Sequence, residues 1–407
     1  MKRRRKKDRE MLSYEDKPIE EYERDESKKS SKSTLPKGKI KVIAGIIVVL
    51  VVIVAGFSLW KYIAPSALSG SVASSKAQGS GYPVEIVGKT VNQGDTGVLN
   101  NNLAYVSETQ FQVVNSNGGL VVDERLKFTA PAMVCSGNYA IIYDKGGAGY
   151  QIATGAGIAY KDSVEDEIFT ATINNNGDYA ILSKKSGYTA KLTVFKKDHT
   201  QKYAYYFSEC YAIDVSINSD LSKAVVCGLD ASEGNIVSKI YVLDFTKEEP
   251  VAKIDFKGTT IYDIAFMKNG NIAAVGDTSS LIITSDYQSK YEFTYNGYNL
   301  SSKKIVEDGV FLSLSPFEDG KSCEVWHITQ KGITTTTKTG LSTDSMDVQG
   351  NCTAILSNNK ITTFDTATQT TLKEYDAGID AKNILFADAN TVYVVGTSEI
   401  RKVDLNQ

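Results

Sequence analysis

The sequence predicts an all-β protein, an eight-bladed β-propeller preceded by one transmembrane helix and a disordered cytoplasmic tail. Three observations predict this organisation. A short apolar segment recurs eight times at a nearly constant interval, a long charge-free segment comes before the first repeat, and the residues ahead of that segment are rich in charge. The predicted boundaries are 1–41 for the tail, 42–62 for the helix, 63–81 for a linker and 82–407 for the propeller.

The tail, residues 1–41, contains 15 Lys or Arg and 9 Asp or Glu but few apolar side chains. Such a composition cannot bury enough apolar surface to fold, so we expect a disordered segment. Its basic residues would fix the orientation of the following helix and contact anionic lipid, each contributing about 1 kcal/mol. The alternative is a docking or phosphorylation segment that includes Ser30 and Thr34.

The predicted helix includes VIAGIIVVLVVIVAGFSLW, residues 42–60, which carries no charge. At 1.5 Å per residue this helix spans about 28 Å, close to the thickness of a hydrocarbon core. Three lysines precede it, and Trp60 and Tyr62 lie at its far end, where aromatic rings favour the headgroup region. The N-terminus is therefore expected in the cytoplasm and the C-terminal domain outside the membrane. A cleaved signal peptide is the alternative, but its apolar core would be unusually long.

The linker, residues 63–81, is rich in Ser, Ala and Gly, and a flexible chain of this length reaches roughly 23 Å. We expect it to tether the propeller without fixing its orientation. Residues 42–407 contain 30 basic and 39 acidic side chains. A surface that binds nucleic acid needs a basic face, so this acidic balance argues against a nucleic-acid partner.

The repeated segment is the second apolar run of IYDIAFMKNGNIAAVGD, residues 261–277. Related runs begin at Leu103, Tyr139, Tyr179, Ala224, Ile272, Val310, Thr353 and Val392. Their spacing averages about 41 residues, the interval of a four-stranded propeller blade. Turn-forming residues such as Asn-Gly precede the runs and predict a hairpin between the first two strands, A and B, of each blade. Seven blades is the alternative, because the first two repeats are the most divergent.

The last repeat supplies only three strands, A to C, up to Gln407. The segment YPVEIVG, residues 82–88, precedes the first repeat and has no partner within it. We expect this segment to become the outer strand, D, of the last blade. That pairing would close the ring and remove an open sheet edge.

Two hairpins carry a resemblance to known families. The A and B strands around MKNGN are similar to WD40-type repeats, and FDTATQTTLKEYD, residues 364–376, resembles the hairpin of PQQ-like propellers. From Lys39 onward the chain resembles an uncharacterised family of single-pass membrane-anchored propeller proteins from clostridial and related Gram-positive bacteria. The resemblance implies a propeller outside the membrane and brings no known activity.

No cofactor and no metal are expected. A quinone cofactor would need tryptophans on the blades, and the chain has only Trp60, in the predicted helix, and Trp326. His199 and His327 are the only histidines and lie in different repeats, so a histidine metal site is not expected. The sequence also lacks the G-x-S-x-G motif of a nucleophile elbow.

The five cysteines are expected to be small buried thiols, with Cys210 and Cys227 as the candidate disulfide. The 23 tyrosines are the unusual feature of the composition. Tyr291, Phe293 and Tyr295 recur at every second residue, so they share one face of a strand, and we expect most such rings to pack between blades. The alternative is an exposed aromatic face that binds glycan or protein.

These observations predict a non-enzymatic binding or scaffold module of the cell membrane, with an envelope protein or cell-wall polymer as partner. Propellers bind across the face that carries the D-to-A and B-to-C loops, and long polar B-to-C loops begin at Tyr143, Gly228 and Ser315. The candidate ligand contacts are Tyr143, Asp144, Asp230, Glu233, Phe317, Glu318 and Lys321. The alternative is an extracytoplasmic polysaccharide hydrolase or lyase, with Asp230 and Glu318 converging at the central channel.

Overall fold

The computed structural model describes residues 79–88, 90–232, 234–316 and 322–407. These residues form eight four-stranded sheets, in which neighbouring strands are antiparallel. The eight-bladed propeller is confirmed and the seven-bladed alternative is wrong. The predicted tail, the predicted helix and residues 63–78 of the linker lie outside the described residues. Within the described ranges, no helix is long and apolar enough to cross a membrane.

The first four blades follow the chain in the order A, B, C, D. Blade 1 contains β2 (Thr96–Leu99), β3 (Asn102–Val106), β4 (Gln110–Val114) and β5 (Leu120–Arg125), after a 3-10 turn at Gln93–Asp95. Blade 2 contains β6 (Pro131–Ser136), β7 (Tyr139–Asp144), β8 (Gly149–Thr154) and β9 (Gly157–Ser163). Blade 3 contains β10 (Ile168–Ile173), β11 (Tyr179–Lys185), β12 (Tyr188–Phe195) and β13 (Gln201–Phe207). Blade 4 contains β14 (Tyr211–Ile217), β15 (Lys223–Ser232), β16 (Asn235–Asp244) and β17 (Ala252–Lys257).

The remaining blades repeat this order, except that the last takes its outer strand from the start of the propeller. Blade 5 contains β18 (Ile261–Phe266), β19 (Ile272–Gly276), β20 (Ser279–Ile283) and β21 (Lys290–Thr294). Blade 6 contains β22 (Asn299–Val306), β23 (Gly309–Ser315), β24 (Glu324–Thr329) and β25 (Thr334–Lys338). Blade 7 contains β26 (Ser345–Gln349), β27 (Cys352–Ser357), β28 (Lys360–Asp365) and β29 (Thr370–Asp376). Blade 8 contains β30 (Asn383–Asp388), β31 (Thr391–Val395), β32 (Glu399–Asp404) and β1 (Val84–Glu85).

The core consists of apolar layers between neighbouring blades. All eight apolar runs of the repeat fall in B strands, which are covered on both sides, and every residue of β19 and β23 is buried. A strand covered on both faces reads as a continuous apolar run, which is why these segments recur in the sequence. The D strands are outermost and largely polar, as in β29.

Ring closure occurs at blade 8, as predicted. In β1, Val84 pairs with Ile400 and Glu85 pairs with Glu399. Next to this strand, the ring of Tyr82 lies 5.9 Å from that of Tyr393. The Tyr82 hydroxyl also donates a hydrogen bond of 2.8 Å to the backbone oxygen of Asn115 in blade 1. The junction of blades 8 and 1 also contains an apolar layer that includes Leu103 and Leu385, and a hydrogen bond from the Tyr393 hydroxyl to the Asn101 oxygen.

The propeller has two faces. The loop face carries the D-to-A and B-to-C connections, and the turn face carries the A-to-B and C-to-D turns. Because β1 is antiparallel to β32, the chain reaches β1 from the turn face and leaves it toward the loop face. At the turn face, the amide of Gly81 donates a hydrogen bond of 3.1 Å to the backbone oxygen of Asn117. The described chain therefore enters the propeller on the turn face.

The candidate disulfide between Cys210 and Cys227 is wrong, because all five cysteines are free. Cys210 lies in the connection between blades 3 and 4, and Cys227 lies in β15 of blade 4. Cys210 packs in the apolar layer between blades 3 and 4, whereas Cys227 packs in the layer between blades 4 and 5. The sheet itself separates the two thiols, so they cannot approach each other.

Candidate functional site

The eight A strands surround a central channel, and the main cavity inside it measures about 760 Å³. The side chains that line the wall of this cavity are apolar on one side and charged on the other. The part formed by blades 1, 2 and 8 consists of small and apolar side chains such as Val98, Met133 and Phe386. The part formed by blades 4 to 7 carries the charged side chains Asp214, Asp263, Lys303, Lys304 and Asp347. We call this second part the charged arc.

Two carboxylates of the arc follow β-bulges. The pairing of β14 with β15 shifts between Ala212 and Asp214, and the pairing of β18 with β19 shifts between Ile261 and Asp263. A bulge inserts one extra residue and re-aims the side chains that follow it. The equivalent shift in blades 4 and 5 therefore places both aspartates on the channel wall within otherwise apolar strands.

Ion pairs join neighbouring blades along the arc. Lys303 of blade 6 contacts the carboxylate of Asp263 in blade 5. Lys304, the next residue, reaches to the opposite side, where its Nζ lies 2.7 Å from Oδ1 of Asp347 in blade 7. One strand of blade 6 thus supplies two ammonium groups, each neutralised by a carboxylate of an adjacent blade.

Backbone amides stabilise two of the arc's carboxylates. The amide of Ile264 donates to Oδ2 of Asp214 over 3.0 Å, and the amide of Phe386 donates to Oδ2 of Asp347 over 2.8 Å. In both pairs the carboxylate and the amide come from the A strands of consecutive blades. The hydrogen bonds of these aspartates therefore also link consecutive blades. This structural role is independent of any ligand.

Burial shifts the protonation of two groups in the arc. Desolvation raises the pKa of Asp214 to about 6, although hydrogen bonds from the amides of Ile264 and Val215 and the charge of Lys303 oppose the shift. Desolvation likewise lowers the pKa of Lys303 to about 8, against the attraction of Asp214. Shifted pKa values of this kind are common at functional sites.

The channel opens on the loop face beside an exposed apolar patch. Tyr211 is 71% exposed and Ile236 is 57% exposed, and both lie at the loop-face end of blade 4. Tyr262 of blade 5 is 40% exposed and lines a second cavity of about 430 Å³ at the channel mouth, together with Lys303 and Asp347. We call Tyr211, Ile236 and Tyr262 the rim patch.

The hairpin that bears Ile236 is longer than expected. The segment from Gly228 was predicted as a polar loop, but β15 and β16 pair up to Ser232 and Asn235. Each of these two strands has ten residues. Since the other B and C strands are shorter, blade 4 extends further on the loop face. The predicted loop is therefore a strand extension that carries an exposed apolar residue.

Three of the seven predicted ligand contacts belong to the described residues. Tyr143 is only 6% exposed and its hydroxyl lies 3.4 Å from that of Thr170. Asp144 accepts hydrogen bonds from two backbone amides in the preceding D-to-A loop. Asp230 lies 3.5 Å from the ammonium group of Lys239 on the long hairpin and does not line the channel cavity. The other four, Glu233, Phe317, Glu318 and Lys321, lie outside the described residues, and the ligand role of all seven stays a prediction.

Sequence reasoning missed the charged arc. Its signal is an aspartate inside an otherwise apolar inner strand, as in AIDVSI, IYDIAF and SMDVQ. A charged side chain within a strand that is covered on both sides is costly unless it faces a channel or a partner, and that argument would have located Asp214, Asp263 and Asp347.

The histidines are packing residues in the described part of the chain. The ring of His199 stacks on that of Tyr160 with centroids 3.6 Å apart, and His327 stacks on Phe311 at 4.2 Å. Among the described residues, no group of three or more His, Cys, Asp or Glu side chains is arranged to hold a metal ion.

The family is identified by residues 75–405, which match the model of DUF5711, a family of unknown function. The chain belongs to the DUF5711 family. No curated protein matches it.

Solved propellers resemble this DUF5711 chain in fold. Sqt1 of Saccharomyces cerevisiae matches with a TM-score of 0.56 and 11% identity, over 80% of this chain and 99% of that one. The C-terminal WD40 domain of Sif2 matches with a TM-score of 0.55 and 14% identity, over 78% and 99%. The computationally designed Ika8 protein matches with a TM-score of 0.54 and 12% identity, over 79% and 99%. At these identities the likeness shows the fold alone, and it confirms the predicted similarity to WD40-type repeats.

Proposed function

We propose that this chain is a non-enzymatic binding or scaffold module, anchored in the cell membrane by residues 42–62 with its propeller outside. The proposed partner is an envelope protein or a cell-wall polymer, and the proposed contact surface is the loop face. The membrane anchor is supported by the charge-free segment and by the three lysines ahead of it.

The rim patch is the observation that carries the binding role. Exposed apolar side chains on the same face of neighbouring blades are candidates for an interaction surface. Tyrosine is enriched in such surfaces because its ring offers a large contact area and its hydroxyl a hydrogen bond. Ile236 lies on the extended hairpin, and Tyr211 begins β14, where it pairs with Leu229 of that hairpin. A partner can therefore reach both side chains without entering the channel.

The direction of the chain supports the choice of face. The first described residues, 79–83, lie on the turn face, where the amide of Gly81 contacts Asn117. The described chain therefore enters the propeller on the face opposite the rim patch.

Site-specific photo-crosslinking in intact cells tests the proposal. A photoreactive amino acid at position 211 should capture a defined species, and the same group at position 333 should not. Ile333 is the matched control because it is 60% exposed and lies in a C-to-D turn, on the opposite face. The double variant Tyr211→Ser, Ile236→Ser should lose the species captured by a crosslinker placed at Asn235. Equal capture from both faces, or capture that the double variant leaves intact, would contradict the proposed surface.

Polysaccharide cleavage is a second candidate function, with different residues from those first considered. The supporting observation is Asp214, because a carboxyl group whose pKa burial raises to about 6 can act as a general acid near neutral pH. Release of soluble fragments from peptidoglycan or teichoic acid by the full chain, abolished in Asp214→Asn, would support this function. Absence of release by the wild-type chain would dismiss it.

A further inference from the structure

The charged arc holds more negative than positive charge. It contains three carboxylates, Asp214, Asp263 and Asp347, but only the two ammonium groups of Lys303 and Lys304. Each lysine is already engaged by a carboxylate. An anionic ligand would find no unpaired ammonium group in this arc, whereas a cationic ligand would find an unmatched carboxylate.

Asp214 is the unmatched carboxylate. Among the described residues it has no ion-pair partner within 4.0 Å, and its one hydrogen bond from another blade comes from the amide of Ile264. That bond uses Oδ2, and a carboxylate has two oxygens with about four lone-pair sites. Asp214 lines the main cavity, whose volume of about 760 Å³ is within the range of ligand pockets. It can therefore accept further hydrogen bonds from a group in the channel.

The same region already accommodates an ammonium group. Lys303 Nζ contacts the Asp263 carboxylate and lies 5.4 Å from the centroid of the Tyr262 ring. A carboxylate together with the face of an aromatic ring is a favourable environment for an organic cation. Residues 42–407 also carry nine more acidic than basic side chains, and a cleft in an acidic protein concentrates cations. A multivalent metal ion is disfavoured by the lack of a ligand group of three among the described residues.

We propose that the channel binds a ligand through a primary ammonium group, with Asp214 as the anchoring carboxylate and Tyr262 at the mouth through which the ligand enters. Such a group occurs on a lysine side chain of a peptide and on an unacetylated amino sugar. The proposal names the ligand chemistry of the binding role proposed above and rests on that role. Its anchoring residue, Asp214, lies in the channel, whereas the crosslinking experiment tests the rim patch at Tyr211 and Ile236, so the two proposals can fail separately.

Paired probes test the chemistry by isothermal titration of the full chain in neutral detergent. Nα-Acetyl-lysine amide, whose side-chain ammonium group is free, is compared with Nα-acetyl-norleucine amide, whose side chain lacks that ammonium group. Glucosamine is compared with N-acetylglucosamine in the same way. We expect binding of the amine in at least one pair and none by its neutral counterpart. The pair that responds identifies the source of the ammonium group, and no binding by either amine overturns the proposal.

Two variants in the arc are expected to act in opposite directions. Asp214→Asn keeps an oxygen to accept from Ile264 but loses the charge, so it should weaken amine binding by roughly tenfold to a hundredfold. Lys303→Met leaves Asp263 without its partner and should strengthen amine binding, with Lys303→Gln as the substitute if that variant does not fold. Asp255→Asn, on the outer strand β17, is the control and should bind as the wild type does.

The proposal requires that the two variants change amine affinity in opposite directions. Unchanged affinity in Asp214→Asn, or weaker amine binding in a folded Lys303 variant, would overturn the proposal. The crosslinking experiment on the rim patch is independent of both variants. If the Asp214→Asn variant still captures a partner at position 211, the binding role of the loop face is supported. The titration then tests the channel proposal separately.

Discussion

Replacing Asp214 by Asn should change how the stability of the propeller depends on pH. Burial raises the pKa of this carboxyl group from 3.8 to about 6. Between these values the folded chain holds a proton that the unfolded chain has released, so the contribution of Asp214 to stability is full below about pH 4 and is lost as the pH rises through about 6. A pKa difference of about two corresponds to ~3 kcal/mol.

The asparagine cannot titrate, so the variant should gain ~3 kcal/mol relative to the wild type between about pH 4 and pH 7. Urea unfolding at several pH values, followed by the fluorescence of Trp326, measures this difference. Asp255→Asn, which changes a side chain that is 57% exposed, is the control for the chemistry of the substitution. A constant difference between Asp214→Asn and the wild type at all pH values would refute the burial argument.

Three further predictions concern the scaffold. Tyr82→Ala removes the ring contact with Tyr393 and the hydrogen bond to Asn115 at the junction of blades 8 and 1, and it should cost roughly 2 kcal/mol in urea unfolding. Tyr211→Ala is the control and should cost less than about 0.5 kcal/mol, because that side chain is 71% exposed. Gly309→Ala should lower stability by about 1–3 kcal/mol, because its Cβ would lie 2.7 Å from His327 Nε2 and 2.9 Å from the Ile328 oxygen. Gly94→Ala, which meets nothing within 4 Å, should be neutral in the same assay, and equal losses for the two glycines would contradict the packing argument. All five thiols should react with iodoacetamide in denaturant without reductant, and a mass deficit of two alkyl groups would reveal the disulfide that the sheet is expected to prevent.

The sequence was sufficient for the architecture because the repeat is a local signal. Each apolar run reports a B strand covered on both sides, as in β19 and β23, and needs no knowledge of the rest of the chain. The closing strand could be predicted for a similar reason, since the last repeat lacked one strand and the segment before the first repeat had no partner. Both predictions depend on the number of strands and not on the positions of individual side chains.

The candidate site was less predictable because it depends on contacts between distant residues. Asp214 acquires its environment from Ile264 and Lys303, which are 50 and 89 positions further along the chain. Two β-bulges place Asp214 and Asp263 on the channel wall. No turn-forming residue in the sequence marks the position of these bulges. The extension of β15 and β16 was missed for the opposite reason, because a polar segment that looks like a loop continues the ladder when its partner strand is equally long.

The short closing strand also has a mechanical consequence. Its two register pairs, together with the 2.8 Å hydrogen bond from the Ile86 amide to the Ser398 oxygen, are the first backbone contacts with blade 8 that the chain makes as it joins the ring. Tension applied through the preceding residues would load these few bonds before any complete blade. Blade 8 would therefore be the first sheet to lose a strand, and the other seven sheets would remain intact at that stage.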